Sequence, residues 1–187
     1  MVVVLVIIIS ITMSVKPSII SKPPDFYGTS KEVTLEEMTG VANEHDISIY
    51  LPESLPKDLK LTAVYLKESP FIAILVYSAE GNKDYKSAEL TLEIAPVGPK
   101  WIPIFNELQS EAEKSPDKTA IQINNWPVLI HENADAGGNT EQIEKYGQYT
   151  LLINIWIENI GYSYNAPTLT TQNAISMIET MQLLSTT

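Results

Sequence analysis

A chain of 187 residues with 44% hydrophobic residues has room for one domain with its own core and a short additional segment, and it is too apolar to stay disordered throughout. Its formal charge is −11, its twelve basic residues are all lysines, and closely spaced ones, Lys57 and Lys60 or Lys114 and Lys118, sit among acids. This excludes nucleic acid as a partner, which needs a clustered basic face, and argues against docking of the domain on anionic lipid. With no cysteine, disulfides, thiol catalysis, thiolate-bound zinc and a cysteine-linked lipid are excluded as well.

The chain starts with an unbroken aliphatic run, Val2 to Ile9, which continues through Val15 and ends at Lys16-Pro17. As a helix Val2–Val15 spans about 21 Å, short of a bilayer core of about 30 Å. Three readings compete. Residues 1–20 form a membrane anchor, with its start upstream or its length extended by Ile19 and Ile20. Alternatively the run is the apolar part of a cleaved signal peptide, although a basic leader and a small-residue cleavage site are missing. Or it is a buried element of the fold, or of a filament in the manner of pilin-like subunits. The anchor reading is the expectation. Lys16, Lys22 and Lys31 follow the run and favour a cytoplasmic domain. The acidic, cysteine-free, strand-rich character of the remainder outweighs them, so a single-pass cell-membrane protein with its domain facing the exterior is expected. Residues 21–32, with Pro23 and Pro24, read as an extended linker.

Residues 33–187 read as a single α+β domain. Thr34 and Glu37 form a capping box for a short helix whose face is Leu35, Met38 and Val41. Strands follow where apolar residues alternate: Ile47, Ile49 and Leu51; Leu59, Leu61, Ala63 and Tyr65; the run Phe71 to Tyr77; and Leu90, Leu92 and Ile94. Pro103 opens a helix with Phe105, Leu108 and Ala112 inward. Ile121 and Ile123 lead into Asn124-Asn125, a hairpin turn, and Trp126, Val128 and Ile130 form the return strand. Leu151 to Ile157 and the segment around Tyr162 and Tyr164 are the last strands, and a helix from about Thr171 to Leu184 closes the chain. Helix, four strands, helix, four strands, helix implies a curved antiparallel sheet with helices packed on one face.

The stretch Leu51-Pro52-Glu53-Ser54-Leu55-Pro56, the element Leu75-Val76-Tyr77, the strand bearing Trp156, the segment Gly161-Tyr162-Ser163-Tyr164 and the closing amphipathic helix follow one another in a characteristic order. Over roughly residues 47–184 the chain resembles an uncharacterised extracytoplasmic domain family, found at the C-terminal end of membrane-anchored anti-sigma-like and lipoprotein-sorting-like proteins. Lys57-Asp58 replaces the glycine that the family carries after the second proline. The resemblance implies placement outside the membrane and this architecture; it assigns no ligand.

Chemistry-bearing residues are few. Glu44-His45-Asp46 places neighbours on opposite sides of an extended chain, which does not converge on one ion. His131-Glu132 has no nucleophile elbow to serve. No catalytic residue is therefore expected, nor a cofactor, with one exception. Asn133, Asp135, Asn139, Glu141 and Glu144, with Gly137 and Gly138 between, approximate the oxygen spacing of a calcium loop. The pattern lacks a side-chain oxygen at the fifth position and an apolar anchor at the eighth, so the competing reading is an acidic, glycine-rich hairpin connection. Trp126, Trp156, Tyr162 and Tyr164 are candidates to line a ligand pocket, although alternation places Trp126 with Val128 and Ile130, which suits the core better. The expectation is a non-enzymatic, membrane-tethered sensing or binding module for a peptide, lipid or envelope-protein ligand. The alternative is a structural subunit of a surface or filament assembly.

Overall fold

The computed structural model describes residues 29–56 and 58–184. The expected anchor of residues 1–20, and the linker up to residue 28, lie outside them. Among the described residues no helix is long and apolar enough to cross a membrane.

The domain is α+β. In chain order its elements are β1 (Lys31–Val33), α1 (Leu35–Glu44), β2 (Tyr50–Pro52), β3 (Lys60–Lys67), β4 (Ile72–Ser78), β5 (Leu90–Pro96), a 3-10 turn (Pro99–Trp101), α2 (Phe105–Ala112), β6 (Lys118–Ile123), β7 (Trp126–Asp135), α3 (Thr140–Tyr146), β8 (Tyr149–Ile157), β9 (Ile160–Asn165), α4 (Thr171–Glu179) and β10 (Met181–Leu183). Eight strands make one sheet in the order β1-β3-β4-β5-β9-β8-β7-β6, and β10 pairs with β2 in a separate ladder. Every pairing is antiparallel. The large sheet is two meanders, β3-β4-β5 and β6-β7-β8-β9, joined where β5 meets β9 from Thr91↔Asn165 to Pro96↔Ile160.

Local chemistry accounts for most of these elements. Thr34 Oγ1 accepts from Glu37 N at 3.1 Å, and Glu37 Oε2 accepts from Thr34 N at 2.7 Å, which satisfies two backbone donors at the start of α1. The hydrogen bond from Thr34 holds the Glu37 carboxyl below its ordinary pKa, so its contribution to stability is present above the unfolded glutamate pKa and fades as pH falls through the folded value. Thr34→Ala is expected to cost about 1 kcal/mol, read by urea unfolding at pH 7. Asn124 and Asn125 both have positive φ, 53° and 67°, the backbone of a tight turn whose twist suits the flanking strands, and Ile123 pairs with Trp126 across it. The β8–β9 hairpin is equally tight, with Ile157 opposite Ile160 and Glu158 at φ 55°.

Strand alternation divides the sheet into two faces. One face carries Val64, Leu66, Ala73, Leu75, Tyr77, Leu90, Leu92, Ile94, Tyr162, Tyr164, Ile153, Ile155, Val128 and Ile130, which form the main core with Met38 and Ala42 of α1 and Ala174, Met177 and Ile178 of α4. Each fully buried aliphatic there contributes about 1.5–3 kcal/mol over its exposed state. The helices are not confined to that face. Gln142 of α3 is buried and bonds Asn165, with Asn165 Nδ2 donating to Gln142 Oε1 at 2.7 Å. Asn165 alternates with Tyr164, so α3 covers an end of the opposite face. The segment between β4 and β5 covers another part of it: Thr62 Oγ1 donates to Asn82 O at 2.6 Å, and Ala88 and Tyr85 pack with Ala63, Ile74 and Val76.

Three elements depart from the sequence reading. Lys31 and Glu32, expected in the linker, belong to edge strand β1, where they pair with Leu66 and Tyr65. The closing helix stops at Glu179, and residues 181–183 form β10 against β2. A further short helix, α3, lies inside the segment read as a calcium loop.

Candidate functional site

The chain leaves β5 near the middle of the sheet and reaches β6 at its edge, so the connection must cross β9, β8 and β7. Val97 starts that crossing. Its N–H donates to Asn159 O in the β8–β9 turn at 2.7 Å, and its side chain lies so close to Gly161 that a Cβ there would sit 3.0 Å from Val97 Cγ1. A cleft of about 240 Å³ opens beside this contact on the face opposite the main core, lined by Glu93, Ala95, Val97, Asn154, Trp156, Gly161 and Ser163.

Register explains why a depression forms here. Glu93 pairs with Ser163 and Ser163 with Asn154, which makes one row across β5, β9 and β8. Ala95 pairs with Gly161 and Gly161 with Trp156 in the next row on the same face. The centre of both rows is Ala95, Gly161 and Ser163, where side chains are small or absent; the flanks are Glu93, Asn154 and Trp156. With strands about 4.8 Å apart and a rise of about 3.4 Å per residue, the Cα atoms of Glu93 and Trp156 are about 12 Å apart. Both side chains leave the sheet on this face, with the low ground between them.

Glu93 is the electrostatic feature of the cleft. Burial raises its pKa above the ordinary glutamate value, and among the described residues no cation or hydrogen bond offsets that burial. A carboxyl with a raised folded pKa contributes stability that is fully present below the unfolded pKa and lost as pH rises through the folded one. Glu93→Gln is therefore expected to raise Tm at pH 7 and to leave it unchanged below about pH 4, read by calorimetry across that range.

Only part of the aromatic set converges. Ile155 pairs with Tyr162 while Trp156 pairs with Gly161, so Trp156 and Tyr162 lie on opposite faces. Tyr162 and Tyr164 are core residues, 1% and 0% exposed. Trp126 packs against that same core and meets Tyr50 edge-on at 5.3 Å. Trp156 and Tyr162 are both among the residues that line the cleft, although the Tyr162 side chain belongs to the core on the other face. The four do not share a pocket, because alternation on β8 puts its aliphatic residues, not its tryptophan, into the core.

The residues of the calcium reading are spread over a strand, a turn and a helix. Asn133 has a φ of 52° at an irregularity in β7 and donates from Nδ2 to Asp117 Oδ1 at 3.3 Å. Asp135 Oδ1 accepts from Gly137 N at 2.8 Å and Oδ2 from Gln148 Nε2 at 3.3 Å. Asn139 caps α3, with Oδ1 accepting from Gln142 N at 3.2 Å and Nδ2 donating to Lys86 O at 2.8 Å. Glu141 and Glu144 are exposed on α3. The spacing thus serves a cap and an Asx turn, and no group of three or more His, Cys, Asp or Glu among the described residues is arranged to hold a metal.

The two histidines occupy separate elements. His45 is the exposed C-cap of α1, its ring centroid 6.4 Å from that of Phe71. His131 lies in β7, paired with Lys118 and Leu152. The carboxylate of Glu132 accepts from Thr171 Oγ1. A wider, more polar groove of about 440 Å³ lies there, between Glu132, Asn133, Tyr149 and the start of α4. We favour the β5–β9–β8 cleft as the site because it is set on strands held from both sides and combines an aromatic ring with a desolvated carboxyl.

Glu93 was visible in the sequence only as the polar partner in the alternation of Leu90, Leu92 and Ile94. Its desolvation depends on β9 and on the Val97 crossing, neither of which local sequence reports. No protein-family model, curated protein or solved structure matches this chain.

Proposed function

We propose that this protein is a non-enzymatic binding or sensing module, tethered by its N-terminal segment to the cell membrane with its domain outside, and that it presents the β5–β9–β8 cleft to its ligand. The observation that carries the reading is the cleft itself: a concavity floored by small residues at the junction of the two meanders and flanked by Trp156 and Glu93. Walls set on paired strands are rigid, which lowers the ordering cost of binding. The apolar run of residues 1–20, the acidic cysteine-free composition and the family resemblance support the placement.

The test is a fragment panel of varied charge and polarity applied to the full chain in nonionic detergent, followed by two-dimensional NMR. Binders should shift the Trp156 indole and Gly161 amide signals, and Trp156→Leu should abolish the shift at the Gly161 amide. A panel that perturbs only other surfaces would remove the cleft as the site. Turnover by the purified protein that disappears in His131→Ala or Glu132→Ala would replace the binding module with an enzyme.

A second reading, a structural subunit of a surface or filament assembly, is favoured by two exposed apolar side chains beside the start of α2, Trp101 at 66% and Ile104 at 64%. Large exposed apolar groups are frequent interface anchors. Detergent-free filaments of the full chain would support it, and a detergent-extracted monomer would remove it.

A further inference from the structure

We infer that the group bound in the cleft is an organic ammonium, primary or quaternary, held between the Glu93 carboxylate and the face side of Trp156. The inference deepens the binding reading above and depends on it.

The argument is charge complementarity in a shaped space. Glu93 is a carboxyl without a cationic or hydrogen-bonding partner among the described residues. It stands on a sheet face whose cleft is lined mainly by apolar groups and by the side chains of Asn154 and Ser163. An anion in such surroundings is stabilised by whatever positive charge enters, and the low local dielectric strengthens the attraction. No lysine is among the described residues that line the cleft, and a cationic ligand would supply the charge that Glu93 lacks there.

The dimensions suit this class. The Cα atoms of Glu93 and Trp156 are about 12 Å apart, and the cleft they line has a volume of about 240 Å³, enough for a group of a few heavy atoms. A trimethylammonium or a hydrated primary ammonium has that size; a carboxylate or phosphate would meet Glu93 with like charge. An indole on the opposite wall is the aromatic group that attracts such cations most strongly, and ring and carboxylate together make a two-sided cation site. The polar groups of Asn154 and Ser163 lie between and can bond a hydroxyl or amide that the cation carries. The net charge of −11 draws cations toward the domain from a distance.

The experiment uses the full chain in nonionic detergent at pH 8 and low salt, with matched probes. Choline is compared with 3,3-dimethylbutan-1-ol, its neutral isostere, and butylammonium with butan-1-ol. Affinity is read from the NMR shifts of the Gly161 amide and the Trp156 indole in the native protein and in Glu93→Gln, and from the Gly161 amide alone in Trp156→Leu. The expected result is that at least one cation binds about tenfold or more tightly than its isostere, that Glu93→Gln removes the difference, and that Trp156→Leu weakens the cation. Equal binding of cation and isostere would overturn the ammonium assignment and leave the cleft as a ligand site of another class. Cation binding that survives Glu93→Gln would also overturn it, because the charge would then be met elsewhere. Absence of binding by all four probes up to 100 mM would overturn it too, and the fragment panel would decide separately whether the cleft binds anything.

Discussion

Tyr162→Ala is expected to lower stability by about 3–5 kcal/mol, and Tyr162→Phe by about 1–3 kcal/mol, in urea unfolding at pH 7. Tyr162 is 1% exposed in the middle of β9, flanked in register by Ile94 on β5 and Ile155 on β8. Truncation to alanine would leave a cavity at the junction of the meanders, bounded on both sides by strands that are themselves paired outward and cannot collapse into it. The phenylalanine variant isolates the hydroxyl. That group donates to Ser48 O at 3.2 Å and accepts from Tyr50 N at 3.1 Å, which joins the large sheet to the segment leading into β2. Its burial raises the phenol pKa strongly, so it stays protonated and able to donate. Removing it orphans a backbone donor and a backbone acceptor together, and hydrogen exchange at the Tyr50 amide should quicken in step. A phenylalanine variant as stable as the native protein, with unchanged exchange at Tyr50, would show that β2 is held by its ladder with β10 alone.

Gly161→Val should cost about 1–3 kcal/mol and close the cleft. Glycine within a strand is normally a weakness that alanine or valine would repair. Here the sign reverses, because a Cβ would come within 3.0 Å of Val97 Cγ1. Val97 has little freedom to retreat while its N–H is held by Asn159 O at 2.7 Å. The double variant Gly161→Val, Val97→Ala should recover part of the loss, with a coupling energy of about 0.5–3 kcal/mol between the two positions. The same valine would occupy the floor between Glu93 and Trp156, so any ligand shifts at the Trp156 indole should vanish. Stabilisation by Gly161→Val would mean that the crossing segment moves freely over β9, and the cleft would lose its fixed wall.

How far each feature could be read from the chain depends on the range of the interaction that creates it. The capping box at Thr34 and Glu37, the turn at Asn124-Asn125 and the alternation of Leu90, Leu92 and Ile94 are set within a few residues, and all three occur as read. Alternation also carries the information that Trp156 opposes Ile155 and Ile157, so its side chain and that of Tyr162 leave the sheet on opposite faces although both residues line the cleft. The segment around Asn139 reads as a calcium loop or as a glycine-rich hairpin connection, since a short acidic stretch rich in Asn, Asp and Gly suits both. Asn139 caps a seven-residue helix whose Gln142 is bonded to Asn165, a partner more than twenty residues away in the chain.

The three-residue strands β1 and β10 have too few residues to declare themselves, and they exist because β3 and β2 offer unpaired edges to them. The α+β class and the core positions were therefore written into the period of the side chains and the punctuation of turns and caps. The site was not. It requires β5 to lie beside β9, some seventy residues later in the chain, and Val97 to be pinned over Gly161. Strand pairing and close packing of that kind are chosen by the whole chain together, because backbone hydrogen bonds are alike for every residue and only the combined burial of both faces selects among the registers.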